Sequence, residues 1–479
     1  MASENTKMLH IVMFPWLAFG HLLPFFHLSK YLASKGHHIS FLSASRNLQR
    51  LPKIPHNLLP QLTLVPLPLP LVPGLPPTAA ATTDTPSGKI PLLRKAYRGL
   101  QEHVFRFLED SSRVDWIVHD LNPWIGSIAD RFGIKKAFFI TTNAWTISVV
   151  ASPLDSLDEE GFFNNRPCIG GDDIDDNLLC RLRQAKKSLG NIDEVSEETG
   201  ASIKNTDVIL IRGCVELEAE SLQLLETLQK KPVVPTGLMP VSHDDDHDSD
   251  TWQTIKGWLD KHRERSVLYV ALGSETIYEK YVSPNLIKVS PRQDQITELA
   301  FGLELSGLSF FWALRRAEGS SVEIPDGFQE RIQGRGLVWT KWAPQSRILA
   351  HDSVGAFLTH CGCSSVIEGV QFGRPLIMLP FVLDQVLNAR ILKEKQIGVE
   401  IEKAENDGSI NRRSVAELVR LVVEDEAGSI YRAEVVKMSR VVADIGLQTQ
   451  YFDKLEEFLR NNGPGPAHLS RNKIKLLVD

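Results

Sequence analysis

Residues 342–385 read WAPQSRILAHDSVGAFLTHCGCSSVIEGVQFGRPLIMLPFVLDQ, and the order of their apolar, turn and polar residues marks an α/β fold with a ligand at its sheet edge. Just before it, GLVWTKW alternates and is rich in large apolar residues, the pattern of a strand that ends at Trp342 and meets a turn set by Ala343 and Pro344. An aromatic face is left at a strand's carboxyl end. SRILAH is a short helical segment, and VGAFLTH is an apolar run that reads as a buried parallel strand, delivering His360 to the edge where open α/β sheets bind ligands. Gly362 permits a tight turn, and Ser364 and Ser365 then open a helix whose hydroxyls and backbone N–H groups form an anion site suited to a diphosphate. Glu368, four residues beyond Ser364 on the same helical face, can accept two hydroxyls of a ribose. After another buried strand, PLIMLP, the pair Asp384 and Gln385 can grip a hexose.

In spacing and residue type the whole stretch resembles the signature box of plant family-1 glycosyltransferases, which use UDP-sugars to glycosylate small molecules. The resemblance implies a GT-B fold, two Rossmann-like doubly wound α/β domains facing a cleft. It assigns Trp342 to stacking on uracil, Gln345 and Glu368 to the ribose, His360 and Ser365 to phosphate, and Asp384 with Gln385 to the sugar. Ala343, Gly362, Cys363, Ser364 and Ser274 complete the expected donor-binding set. A box ending in Gln implies a preference for UDP-glucose. The chain departs from the family at Cys363 and Ser364, where Trp and Asn are usual. Exchanging an indole for a thiol removes a large packing surface. The expected results are a loosened phosphate loop, weaker donor binding, or a partner residue that fills the gap.

Composition agrees with such an enzyme. The chain has 479 residues, 43% of them hydrophobic, so it can bury two or three cores, and its net charge of −6 leaves no nucleic-acid footprint. Among five cysteines no pair has zinc-finger or thioredoxin spacing, and Cys361-Gly362-Cys363 is too close for a CxxC motif, which favours reduced thiols and a cytoplasmic location. A signal peptide at Leu9 to Phe19 is disfavoured because Pro15 interrupts it, and no run of about twenty apolar residues offers a membrane span. A monomer acting on small molecules, with no metal and no cofactor beyond the UDP-sugar co-substrate, is the expectation.

The N-terminal half begins with a βαβ unit: MLHIVMF as strand, WLAFGHLLPFFHLSKYLASKG as loop and helix, and HHISFLSA as strand. Residues 52–91, crowded with Pro, read as an extended surface path, and residues 90–110 as helix. VDWIVHD, KKAFFITT, DVILIRG and PVVPTGLM continue the sheet, with residues 151–200 a variable region over a substrate cleft. The expected division is 1–240 for the acceptor-binding domain, 241–251 for an acidic linker, 252–461 for the UDP-sugar domain and 462–479 for a disordered tail. Asp173-Ile174-Asp175 and Asp244-Asp245-Asp246 fit a metal-holding Asp-X-Asp pattern, but their polar surroundings favour solvated loops. SVLYVALGS is a buried strand ending in Gly273 and Ser274, and residues 276–292 form an unusually long connection before the next helix, well beyond the family's equivalent loop.

Glycosyl transfer to an alcohol needs a base for the acceptor proton and a site that stabilises departing UDP. His21 follows FPWLAFG at a strand-to-helix turn, where a helix N-terminus disfavours imidazolium, and Asp120 ends a neighbouring strand, where a carboxylate can fix the imidazole tautomer. The resemblance makes His21 the base and Asp120 its support, whereas His27, His37 and His38 lack that placement. FPWLAFGHLLP, YVALGSE and GLMP resemble the branch of the family that extends a sugar already attached to a flavonoid, terpenoid or steroid. Asn122, Trp124, Asn143, Trp145 and Phe381 are the expected acceptor-side residues, by position near strand ends. Transfer from UDP-rhamnose, attack by an aglycone, and a weakly active donor-binding protein with Cys363 as the cause are the competing readings. A nicotinamide oxidoreductase fails because the first turn, Trp16 to Gly20, lacks Gly-X-Gly-X-X-Gly.

Overall fold

The computed structural model describes residues 8–151, 193–241, 249–273, 291–314, 323–381, 383–404 and 406–464. Seven strands build the first sheet: β1 (His10–Phe14), β2 (His38–Ala44), β3 (Leu62–Leu67), β4 (Trp116–His119), β5 (Lys135–Ile140), β6 (Val208–Ile211) and β7 (Val233–Pro235). Six build the second: β8 (Val267–Ala271), β9 (Ser309–Ala313), β10 (Gly336–Trp339), β11 (Val354–Thr359), β12 (Leu376–Met378) and β13 (Gly398–Glu400). The spatial orders are β3-β2-β1-β4-β5-β6-β7 and β10-β9-β8-β11-β12-β13, and the central pairs β1 with β4 and β8 with β11 are parallel like their neighbours. Each order therefore reverses once, between β1 and β4 and between β8 and β11, and such reversals open the crevice in which α/β sheets hold ligands.

The strands form because both faces of each sheet are covered. Ile11 and Met13 enter one apolar core while Val12 and Phe14 enter another, the two-residue period of a pleated strand buried on both sides. Every residue of β11 is buried. The Pro-rich path at 52–91 contains an element the sequence reading left out: β3 pairs with β2, and it tolerates Pro66 because it lies at the sheet's edge. The expected helix at 90–110 divides at Gly99 into Ile90–Arg98 and Gln101–Asp110. The strand expected to end at Trp342 stops at Trp339.

The last helix, Ile445–Asn462, expected within the second unit, packs on both cores, with Leu447 and Tyr451 on that of the second sheet. Its Phe452, Leu455 and Leu459 share a core with Ile11 and Met13, Trp116 Nε1 donates to the Leu459 carbonyl at 3.0 Å, and Tyr31 stacks on Phe452 at 4.5 Å. Apolar burial thus ties this helix to both sheets. Residues 242–248 of the linker, both Asp-X-Asp stretches, Ser274, residues 276–290 of the long connection and the tail beyond 464 lie outside the described residues. Among the described residues no helix is long and apolar enough to cross a membrane, and no group of three or more His, Cys, Asp or Glu is placed to hold a metal.

Candidate active site

His21 sits in the first turn of the helix Phe19–Ser34, which follows β1 after a short loop, and Asp120 directly follows β4. Pairing of Phe14 with His119 sets the two loops side by side, and His21 Nδ1 hydrogen-bonds Asp120 Oδ2. The same carboxylate accepts the Trp16 N–H at 3.2 Å and the Leu121 N–H at 2.9 Å. Its side chain is 4% exposed against 30% for His21, so a buried, thrice-held anion grips an imidazole that reaches the crevice. A proton on Nδ1 toward Asp120 leaves the lone pair on Nε2. His37 is instead buried against Glu456 at 2.8 Å, and His38 is exposed.

His360 directly follows β11 at the second reversal. A Cβ added to Gly273 or to Gly362 would lie 2.6 Å from His360 Nε2, and Gly273 has φ +92°, so only glycines let the backbone close on both sides of this ring. His360 Nδ1 is buried with no hydrogen-bond partner among the described residues, and burial pulls the imidazole pKa down to about 4. Cys361, also buried, has a left-handed φ of 67°, a strained conformation that its surroundings must hold. Cys214, Cys361 and Cys363 are free thiols; burial pushes Cys363 up to about 11, so it is not a reactive thiolate.

The helix Cys363–Gln371 follows with Gly362 as its N-cap. Gln345 Nε2 donates to Glu368 Oε2 at 2.9 Å and lies 3.4 Å from Ser365 Oγ, while Tyr269 donates to Gln345 Oε1 at 3.3 Å. Three residues of the box are thereby joined in one network. Burial raises the Glu368 pKa, and Gln345 and Arg212 pull it back. Trp342 is 50% exposed, a large indole left open to a ligand, and its carbonyl accepts from Trp339 Nε1 at 2.9 Å. Ala343, next in the chain, packs against the second sheet's core. Asp384 is in the first turn of the helix Leu383–Glu394, and buried Gln385 accepts the Phe381 N–H at 2.9 Å.

Three expected acceptor residues are placed elsewhere. Asn122 is fully buried and donates to the Tyr97 hydroxyl at 2.6 Å, so no acceptor can reach it. Asn143 caps the helix Ala144–Val150 through Thr146 N and bonds Asn388 Oδ1, and Trp145 is buried in a cluster with Leu224 and Leu387. Both belong to the seam between the two halves, because nearness to a strand end does not fix where a side chain is used. Trp124, half-buried against Phe14 with an unpartnered indole N–H among the described residues, and Phe381, under the Lys403 ammonium at 4.8 Å, keep positions at strand ends. Two residues went unnoticed in the sequence: Asn388, whose Nδ2 donates to the Cys361 carbonyl at 2.8 Å, and Arg212, which reaches Ser364 Oγ at 2.8 Å from the end of β6. A charged residue closing the apolar run VILI was the one available signal for Arg212.

Two parallel, doubly wound sheets with polar residues gathered at both reversals, their carboxyl edges joined by contacts such as Arg212 to Ser364, define a GT-B glycosyltransferase fold. A family model described as UDP-glucoronosyl and UDP-glucosyl transferase matches residues 203–449. UDP-glycosyltransferase 91D1 of Stevia rebaudiana is 42% identical over 97% of this chain and 95% of its own. Soyasaponin III rhamnosyltransferase of Glycine max is 38% identical over 96% and 97%, and anthocyanidin 3-O-glucoside 2''-O-glucosyltransferase of Ipomoea nil is 32% identical over 96% and 99%. The crystal structure of Arabidopsis thaliana UGT89C1 shares the fold with a TM-score of 0.71 at 23% identity, covering 95% of this chain and 100% of that one. The chain belongs to the UDP-glucoronosyl and UDP-glucosyl transferase family and is a UDP-sugar-dependent glycosyltransferase.

Proposed function

We propose that this enzyme transfers glucose from UDP-glucose to a hydroxyl of a sugar already carried by a plant flavonoid or terpenoid glycoside. The pairing of His21 with Asp120 at one reversal, opposite the joined Gln345, Glu368 and Ser365 at the other, is the observation that carries it. His21 Nε2 takes the acceptor proton, the acceptor oxygen attacks the anomeric carbon from the face opposite the diphosphate, and the carbon–oxygen bond to phosphate breaks with its electron pair leaving on UDP. Asp120 stabilises the imidazolium that forms. Configuration at the anomeric carbon is inverted. The donor lies with uracil against Trp342, its ribose at Gln345 and Glu368, its diphosphate at His360 and Ser365, and its hexose at Asp384 and Gln385. Likeness to a 2''-O-glucosyltransferase of an anthocyanidin glucoside supports a glycoside acceptor.

A second reading, with UDP-rhamnose as donor, is favoured by the higher identity, 38%, to a relative named as a rhamnosyltransferase. Mass-spectrometric detection of transfer decides both points, with UDP-glucose and UDP-rhamnose each offered to paired acceptors, an aglycone and its monoglucoside, and His21→Ala as control. Hexose added to the monoglucoside alone is the expected result. Deoxyhexose alone moves the donor to rhamnose, transfer to the aglycone alone removes the branching role, and no transfer from either donor returns attention to Cys363.

A further inference from the structure

Arg212 follows β6 of the first sheet, yet its guanidinium ends at the helix Cys363–Gln371 of the second. The residue is 4% exposed. Nε donates to the Leu238 carbonyl at 2.8 Å, Nη2 to the Met239 carbonyl at 3.3 Å and Nη1 to Ser364 Oγ at 2.8 Å. All three acceptors are neutral. A guanidinium has five N–H groups, so the bonds made leave part of its donor capacity unspent. No carboxylate among the described residues hydrogen-bonds it, although its charge is felt by Cys363 and Glu368. Burying a cation whose nearby carboxylate, Glu368, acts on it only through space and makes no hydrogen bond to it is costly, and setting it against the positive end of a helix adds to that cost. An anion bound at this helix start relieves both at once.

We propose that Arg212 is a positioning residue of the donor site: it holds Ser364 in the first helical turn and supplies, from the opposite half of the molecule, positive charge for the diphosphate of the UDP-sugar. The proposal rests on reading that helix start as the diphosphate site. Charge builds on UDP as the glycosidic bond to phosphate breaks, so a fixed, desolvated cation acts on both binding and departure. Arg212 also answers the question raised by Cys363. A thiol beside the guanidinium leaves room for a charged group where an indole would compete for the space. Donor binding is then tied to the apposition of the two sheets, because the diphosphate is met by residues from both.

Calorimetric affinities of UDP and of uridine for wild type, Arg212→Gln and Arg212→Lys, with KM and kcat for UDP-glucose, test the assignment. Arg212→Gln is expected to weaken UDP about tenfold or more while leaving uridine unchanged, and to lower kcat as well as raise KM; Lys restores part of the UDP affinity. Equal weakening of UDP and uridine in Arg212→Gln, or no weakening of either, overturns the role. Wild type binding UDP no better than uridine defeats the diphosphate-site reading itself, whereas a strong wild-type preference for UDP that survives Arg212→Gln defeats Arg212 alone. If Arg212→Gln does not fold, Arg212→Lys carries the test: a loss confined to UDP supports the proposal, and a loss shared with uridine, or no loss, overturns it.

Discussion

The two reversal points of this molecule occupy the same place in the same topology and solve opposite problems. After β1 and β4, the His21 imidazole is tied to a buried carboxylate that can support a positive charge on it. After β8 and β11, among the described residues, no carboxylate hydrogen-bonds the His360 imidazole: it lies between Gly273 and Gly362 with a buried, unpartnered Nδ1, and burial keeps it neutral above a pKa of about 4. One site is built to accept a proton and the other to refuse it. A sheet reversal supplies a place for chemistry, and the partner of each histidine decides which chemistry.

Deleting each ring tests the contrast between the two histidines with the largest expected effect. His21→Ala is expected to lower single-turnover transfer by roughly 10³-fold or more with UDP affinity unchanged, since it removes the base and touches no donor-binding residue. His360→Ala is expected to weaken UDP and leave the turnover of saturated enzyme much closer to wild type. Finding the same split between binding and rate in both variants would mean that the two histidines are not specialised.

Next in size is the glycine that shapes the second site. Gly273→Ala meets two obstacles, a φ of +92° and a Cβ placed 2.6 Å from His360 Nε2. Expected are a rise of about tenfold in KM for the donor and a loss of about 1–2 kcal/mol of stability by urea unfolding. Gly133→Ala is the matched control: φ is +66° with nothing within 4 Å of the added Cβ, so stability alone should fall, by about 1 kcal/mol. A normal donor KM in Gly273→Ala would show that His360 can turn aside at no functional cost.

What the sequence disclosed follows the same line. Buried strands ending in chemistry-bearing residues were legible at His21, Asp120 and His360, because apolar runs, turn glycines and spacing are local signals, and the box joined Gln345 to Glu368 across 23 residues in an arrangement the structure keeps. The seam was not legible. Asn143 meets Asn388 across 245 residues and Arg212 meets Ser364 across 152, and no local pattern encodes such partners. Asn122 and Trp145 were misread for the same reason: position at a strand's end is a property of the segment, whereas direction into core, seam or crevice is a property of the packed molecule. β3 was hidden by prolines that an edge strand tolerates.

The seam yields a prediction of intermediate size. Asn388 links Asn143 of the first half to the carbonyl of strained Cys361 in the second, so Asn388→Ala leaves that buried carbonyl and the Asn143 amide without this partner. A loss of about 1–2 kcal/mol in stability is expected, with weaker UDP binding as residues 360–362 relax, read from unfolding curves with and without UDP. Asn122→Ala should instead destabilise without changing acceptor preference, since its side chain meets Tyr97 and not a substrate. A shift in acceptor selectivity in that variant would restore it to the acceptor site.

The smallest expected effect separates the seam from both reversal points by its pH dependence. Burial raises the Glu218 carboxyl from 4.5 to about 8, against the opposing pull of the Ala144 N–H, which it accepts at 2.8 Å, and of Lys395. An unfolded chain releases this proton near 4.5 and the folded one near 8, so across that window the native state binds a proton that the unfolded state has lost, and stability falls as pH rises. Glu218→Gln keeps a neutral acceptor for Ala144 and removes the titration. Urea unfolding at pH 5 and pH 9 should therefore give similar stabilities for the two proteins at the lower pH and an advantage of up to about 1 kcal/mol for the Gln variant at the higher, a figure reduced for the partial exposure of the group. Parallel curves would mean that Glu218 ionises in the folded protein with little penalty. Because its charge also reaches Cys363, the donor helix is the part of the catalytic machinery expected to sense that ionisation, while the His21 and Asp120 pair, held by separate contacts, should not.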